Sequence, residues 1–265
     1  MSASCGFPLS RDTYDDEDSS LFHSRISRNM TRKDWKNWVM STDACSREKR
    51  AKIRETMISQ GIPDNFRGAA WMKLLEIDQA IEVHSTNLYQ KLLEFDNEEA
   101  EKQIDKDVER TMAELNLWRE DSSGGNNKLY NVLKAYANYD NEVGYVQGIN
   151  YLVGLFLFYI PDEEKVFWCL LQLMQKRNWR EVYTQNFPKM KELTGFLEHQ
   201  MDQEYPEVLE HLENNGLVVE GTFSPHFMTL FVYLTPLEIA TRLFEVFILD
   251  GDLAIVRLLI RMISK

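Results

Sequence analysis

Residues 144–160 read GYVQGINYLVGLFLFYI. In this stretch Gln147 lies between Gly144 and Gly148, and an apolar run follows over residues 151–160. Four side chains of the run share one face of a helix with 3.6 residues per turn, and these are Leu152, Val153, Phe156 and Tyr159. Gly144 and Gly148 permit a tight turn and close backbone approach where that helix begins. Such a turn would present Gln147 at the helix entrance instead of burying it.

Helical spacing continues on both sides of this segment, and no window of similar length alternates with a period of two. Prolines suited to a first helical turn stand at Pro188, Pro206 and Pro236, and helix stops stand at Gly216 and Gly251. Residues 122–127, SSGGNN, predict an internal loop. The pattern predicts an all-α fold of roughly a dozen helices with no significant sheet.

Composition and charge exclude several classes of protein. The 265 residues are 44% apolar and 27% charged, a balance typical of globular domains. With 30 basic and 42 acidic residues the net charge is −12, which argues against a nucleic-acid partner. Residues 25–54 nevertheless carry ten basic and three acidic residues, a net of +7, together with Trp35 and Trp38. This stretch could face an anionic membrane, but a solvated helix face with two core tryptophans is the favoured interpretation.

Cysteine and histidine usage points to neither disulfides nor a metal site. Cys5, Cys45 and Cys169 are an odd number at unrelated spacings, and the five histidines lie apart from one another. The apolar run is half the length of a membrane-spanning helix, which needs about 20 residues. The N-terminus lacks the layout of a signal peptide. We therefore expect a cytoplasmic protein with at most peripheral contact to endomembranes. Without a GxxxxGK[ST] loop it is not expected to be a nucleotide hydrolase in its own right.

Three short motifs carry residues suited to chemistry. The first contains Arg67, Gly68 and Trp71; the second contains Ile104, Asp107 and Arg110; the third contains Tyr145, Gln147 and Gly148. On a helix, the carboxylate of Asp107 can hold the guanidinium of Arg110, three residues later, in one rotamer. Singly, the motifs could be core packing, a surface ion pair and a loop glutamine. Their order and spacing indicate a common function.

Together they resemble the TBC domain, the GTPase-activating domain for Rab-family small GTPases, whose signatures are R-G-x-x-W, I-x-x-D-x-x-R and Y-x-Q-G. The resemblance covers about residues 55–265. It implies a two-lobed helical bundle over residues 31–265, with an N-terminal lobe of about 31–185 and a C-terminal lobe of about 186–265. Residues 1–30, which include an acidic run, are expected to form a mobile leader.

The resemblance also implies roles for individual residues. Arg110 would be an arginine finger and Gln147 a glutamine finger, both supplied in trans to a GTP-bound Rab. Asp107 would orient Arg110, and Tyr145 and Gly148 would shape the loop of Gln147. Arg67 and Trp71 are assigned to the scaffold, and Ile104 is a supporting residue. No cofactor of this chain is implied, because GTP and magnesium belong to the GTPase. The alternative is a catalytically silent helical adaptor that binds a GTPase or another protein through the same surface.

The sequence departs from the family pattern mainly near its C-terminal end. Four residues replace the usual ones, namely His226, Phe244, Glu245 and Asp250, in positions that concern packing or partner preference more than catalysis. Only 14 residues follow Gly251, where family members continue for several helices. We therefore expect a C-terminal lobe that is short or truncated.

Overall fold

The computed structural model describes residues 29–41, 46–84, 86–114 and 125–263, and within these ranges the protein has 14 α-helices, one short 3-10 helix and no strand. The N-terminal helices are α1 (Arg32–Met40), α2 (Arg47–Gln60), α3 (Asp64–Leu74), α4 (Ile77–Val83) and α5 (Leu88–Leu93). The next are α6 (Glu98–Glu114), α7 (Gly125–Tyr139), α8 (Ile149–Tyr159) and α9 (Glu163–Lys176), followed by the 3-10 helix Arg180–Val182. The last are α10 (Pro188–Glu204), α11 (Pro206–Asn214), α12 (Val219–Met228), α13 (Leu237–Asp250) and α14 (Asp252–Ile263). The predicted all-α fold is confirmed.

Helix α8, formed by the apolar run, lies at the centre of the fold. It packs against α3, α6, α7 and α9, and residues 149–156 are all buried. A helix that is apolar on every side is stable only when it is surrounded, which explains its place. Because α8 is held on several sides, the loop that leads into it has a rigid foundation.

Trp71 joins the first motif to the core. Its ring meets those of Phe156, Tyr159 and Phe244 edge to face, with centroids 4.9 to 6.0 Å apart. A side chain at Gly68 would collide with the carbonyl oxygen of Tyr159, so α3 can approach the end of α8 only with glycine there. The first motif therefore fixes the packing of α3 on α8 and α13.

The predicted helix boundaries are mostly right. Pro188 and Pro206 open α10 and α11, and Gly251 caps α13 with a φ of 78°. The predicted loop at residues 122–127 is wrong in its second half, since α7 begins at Gly125. Glycine and asparagine are tolerated in a first turn because its amides need no intrahelical partner. The first half of that prediction, residues 122–124, lies outside the described residues.

Helix α1, within the N-terminal basic stretch, exposes Arg32, Lys33 and Lys36 and buries its two tryptophans. Trp35 and Trp38 are each 1% exposed, which confirms them as core residues. Most of the expected leader lies outside the described residues; Met30 is buried, and its N–H donates to the Oγ1 of Thr56 at 3.0 Å. Among the helices in the described ranges, none combines the length and the apolar character that crossing a bilayer requires.

Candidate functional site

Asp107 brings the second and third motifs together. Its Oδ1 accepts a hydrogen bond from the Nη2 of Arg110 at 2.8 Å, and its Oδ2 accepts one from the hydroxyl of Tyr145 at 2.7 Å. The Asp107 side chain is 14% exposed, whereas that of Arg110 is 44% exposed. The carboxylate of Asp107 is thus mostly buried, and it holds the guanidinium of Arg110 at the protein surface.

Tyr145 is fixed as a hydrogen-bond donor. Burial raises the pKa of its phenol, and the adjacent carboxylate of Asp107 raises the pKa further. The hydroxyl therefore keeps its proton throughout the physiological range. Because Tyr145 belongs to the loop before α8, this bond anchors that loop to α6.

Residues 140–148, here called the glutamine loop, connect α7 to α8 and are fixed at their first residue. Asp140 receives two hydrogen bonds from Arg180, from Nε at 2.6 Å and from Nη2 at 2.9 Å, and its carbonyl accepts from the N–H of Gly144 at 2.7 Å. Burial would raise the pKa of Asp140, but Arg180 outweighs it and the pKa is lowered. A charged carboxylate therefore holds the start of the loop.

The end of the loop requires glycine. Gly148 has a φ of 118°, and a Cβ there would lie 3.2 Å from the carbonyl oxygen of Met228. That same carbonyl accepts a hydrogen bond from the hydroxyl of Tyr183. Helix α12 thus closes against the loop, while Gln147, one residue earlier, is exposed as predicted.

Two buried polar residues that the sequence left without a role lie beneath the loop. The Thr111 hydroxyl donates to the carbonyl of Asp107 at 2.6 Å and accepts from the Nδ2 of Asn150 at 2.7 Å. The Oδ1 of Asn150 accepts from the N–H of Gly148 at 2.7 Å. An asparagine at the second position of an otherwise apolar helix was the available signal, because a buried amide needs partners.

The first motif takes part in a different set of contacts. Arg67 is 7% exposed, and its guanidinium donates from Nε to the Oε1 of Glu245 at 2.8 Å, from Nη2 to the carbonyl of Ile62 at 2.7 Å, and from Nη1 to Asp64. Burial would lower the pKa of Arg67, but the hydrogen bond and charge of Glu245 outweigh it and the pKa is raised. These partners occupy all three guanidinium nitrogens of Arg67. Ile104, in the second motif, is fully buried.

Arg110 and Gln147, both exposed, are suited to contact anionic oxygens and water. A guanidinium binds two phosphate oxygens at once, and a neutral amide can donate and accept at the same time. In the part of the chain that the structure describes, no group of three or more His, Cys, Asp or Glu side chains could hold a metal ion. Through Arg110 and Gln147, the site offers positive charge and hydrogen bonds at the protein surface.

Comparison with known proteins identifies relatives of the chain. The family model described as the Rab-GTPase-TBC domain matches residues 64–265. The chain is 34% identical over 242 residues to the human ecotropic viral integration site 5 protein homolog, which covers 88% of this chain and 29% of the human protein. It is also 34% identical over 217 residues to Rab GTPase-activating protein eat-17 of Caenorhabditis elegans, covering 81% of this chain and 23% of that protein. The chain thus spans less than a third of the length of these relatives.

Solved structures share the fold. The TBC domain of a Chlamydomonas flagellar RabGAP aligns with a TM-score of 0.66 at 24% identity, over 87% of this chain and 76% of that one. The Ypt/Rab-GAP domain of Gyp1p aligns with a TM-score of 0.61 at 18% identity, over 78% of this chain and 76% of that one. At these identities the likeness establishes the architecture.

Proposed function

The chain belongs to the Rab-GTPase-TBC domain family, and from this membership we propose that it accelerates GTP hydrolysis by a Rab-family small GTPase through Arg110 and Gln147, supplied in trans. The substrate is the GTP-bound form of the GTPase. GTP and its magnesium ion belong to that partner and not to this chain. The partner's membrane anchorage would place the reaction in the cytoplasm, with at most peripheral contact between this chain and endomembranes.

Arg110 is the proposed arginine finger. Negative charge develops on the phosphate oxygens during hydrolysis, and a guanidinium supplied in trans is worth about 10³ to 10⁵ in rate, or roughly 4 to 7 kcal/mol of barrier. The partial exposure of Arg110 allows it to reach a bound GTPase, and the hydrogen bond that it donates to Asp107 limits the number of rotamers it samples beforehand. A lysine would carry the charge without the planar fork that contacts two oxygens.

Gln147 is the proposed glutamine finger. Its amide can accept a hydrogen bond from the attacking water and donate one to the transferring phosphoryl group, which an ionised carboxylate cannot do. The loop that carries it is fixed at Asp140, Tyr145 and Gly148, so little conformational entropy remains to be lost when the GTPase binds. Gln147 would take over the positioning of the attacking water, which is otherwise the role of the GTPase's own glutamine.

The observation that carries the proposal is the double contact of Asp107 with Arg110 and Tyr145. One carboxylate joins the helix that carries Arg110 to the loop that carries Gln147. An adaptor that only bound a GTPase would have no use for an oriented arginine and an exposed glutamine. The contact therefore favours the activator over the silent adaptor.

The test is phosphate release from a panel of GTP-loaded Rab proteins, with wild type, Arg110→Ala, Arg110→Lys and Gln147→Ala. We expect at least one Rab to be accelerated by wild type, and kcat to fall about 10³-fold in both Arg110 variants. Lys102→Ala, which removes an exposed cation from the same helix, is the matched control and should retain activity.

Two results would contradict the proposal. Acceleration that survives both Arg110→Ala and Gln147→Ala would exclude the two-finger mechanism. Nucleotide-dependent binding of a Rab without any acceleration would instead support the adaptor. Thermal unfolding of each variant distinguishes lost chemistry from lost folding.

A further inference from the structure

Thr111 and Asn150 form a buried hydrogen-bonded link between α6 and the glutamine loop. Both residues are fully buried, at 0% exposure. Their bonds, from the carbonyl of Asp107 through both side chains to the N–H of Gly148, lie in the range of 2.6 to 2.7 Å. Bulk water therefore cannot replace a lost hydrogen-bond partner, so breaking the link costs the full free energy of leaving a buried polar group unpaired.

The direction of each hydrogen bond in the link is forced by chemistry. The backbone N–H of Gly148 can only donate, so the oxygen of the Asn150 amide must face it. The amide nitrogen then faces Thr111, whose hydroxyl oxygen must accept and whose single proton must go to the carbonyl of Asp107. Since each group has one orientation available, the link permits one arrangement of loop and helix.

The two ends of the link are adjacent to the two proposed fingers. At one end is the carbonyl of Asp107, whose side chain binds Arg110. At the other is the amide of Gly148, the residue that follows Gln147. A shift of about 1 Å in a reacting group can cost a hundredfold in rate, so the distance between the fingers must be set closely.

We propose that Thr111 and Asn150 are positioning residues that fix the glutamine finger relative to the arginine finger. They act through the backbone of Gly148 and do not touch the GTPase. The inference rests on the proposed function, since it assigns Gln147 a role in hydrolysis. Beyond that function, the contacts of Thr111 and Asn150 couple the positions of the two fingers.

The test is a double-mutant cycle between Thr111 and Gln147 with the Rab that wild type accelerates most. Thr111→Val removes the hydroxyl at nearly constant shape, and Thr111→Ser restores it. We expect kcat to fall about tenfold in Thr111→Val, with KM for the GTP-loaded Rab unchanged, and to recover in Thr111→Ser. In the Gln147→Ala background, Thr111→Val should have no further effect on kcat.

Thr194→Val is the matched control for lost stability. Thr194 is also buried, and its hydroxyl donates to a carbonyl four residues earlier, that of Met190 at 2.9 Å, but it belongs to α10. It should lower the midpoint of thermal unfolding while leaving kcat unchanged. Equal losses of kcat in the two variants would overturn the proposal.

The remaining outcomes separate this proposal from the function on which it rests. A Thr111→Val penalty that persists in full without Gln147 would overturn the positioning role alone. If Gln147→Ala itself left hydrolysis unchanged, the two-finger function and the link would both be wrong.

A measurement without GTPase completes the test. Hydrogen exchange of the Gly148 amide should quicken at least about tenfold in Asn150→Ala, and unchanged exchange would overturn the proposal.

Discussion

Asp107 shows how a single residue determines the geometry of a surface site. Its two oxygens are used by two donors from different elements, the guanidinium of Arg110 and the phenol of Tyr145. The ion pair alone is of the half-exposed kind that contributes less than about 1 kcal/mol to stability. Its value therefore lies in orientation, and its loss should affect activity more than folding.

Substituting Asp107 by Asn should reduce kcat roughly ten- to a hundredfold while shifting the midpoint of thermal unfolding little. Asparagine keeps the shape but has one acceptor oxygen for two donors, so either Arg110 or Tyr145 loses its present partner. Phosphate release from a GTP-loaded Rab measures the effect. Glu98→Gln, which breaks the exposed pair with Lys102 on the same helix, is the control and should retain wild-type kcat. Equal rates for the two variants would show that orientation by Asp107 is unimportant.

Glu101 joins α6 to α7 through side-chain contacts. It accepts hydrogen bonds from the hydroxyl of Tyr130 at 2.6 Å and from the N–H of Asn97 at 2.8 Å, and it pairs with Lys134 at 3.0 Å. These contacts, led by that of Tyr130, lower the pKa of Glu101 from 4.5 to about 2. Because Arg110 is also on α6, this carboxylate supports the candidate site.

The lowered pKa of Glu101 predicts acid-sensitive stability. A carboxyl whose pKa is lower in the folded state stabilises the fold fully above its unfolded pKa, and that contribution disappears as the pH falls from about 5 to about 2. Glu101→Gln should be less stable than wild type at pH 7, and the difference should shrink by pH 3. Urea unfolding at both pH values measures it, with Glu99→Gln, an exposed position on the same helix, as the control. A difference that is the same at both pH values would contradict the assignment.

The sequence predicted elements better than it predicted contacts. Local signals were sufficient for the buried helix α8 and for the starts of α10 and α11 at Pro188 and Pro206. The start of α7 at Gly125 was missed because a first helical turn, whose amides need no intrahelical partner, tolerates Gly and Asn. The bond between Tyr145 and Asp107 joins residues 38 positions apart, and no local pattern specifies such a pairing. The motifs predicted the residues of the candidate site, and the packing of α6 on α8 determines how Asp107 and Tyr145 meet.

Helix α13 connects the C-terminal part of the chain to the N-terminal helices. Phe244 packs against Trp71 with ring centroids 4.9 Å apart, and Glu245, 1% exposed, accepts from Arg67 and from Arg242. On the surface, Asp250 pairs with Arg54 of α2 at 2.8 Å. The first motif therefore serves the integrity of the fold, since its arginine is satisfied by a carboxylate 178 positions away.

Two carboxylates of α13, Glu245 and Asp250, allow a comparison of buried and exposed charge within one helix. Glu245→Ala leaves the guanidinium of Arg67 buried without its main partner, which costs about 3 to 5 kcal/mol of unfolding free energy. Asp250→Ala breaks a pair whose side chains are 41% and 23% exposed, and should cost less than about 1 kcal/mol. Urea unfolding followed by tryptophan fluorescence measures both, because Trp71 and Trp179 contact the α13 residues Phe244 and Phe247. Equal losses in the two variants would mean that Arg67 finds another acceptor once Glu245 is gone, and that α13 is held to α3 by its aromatic contacts alone.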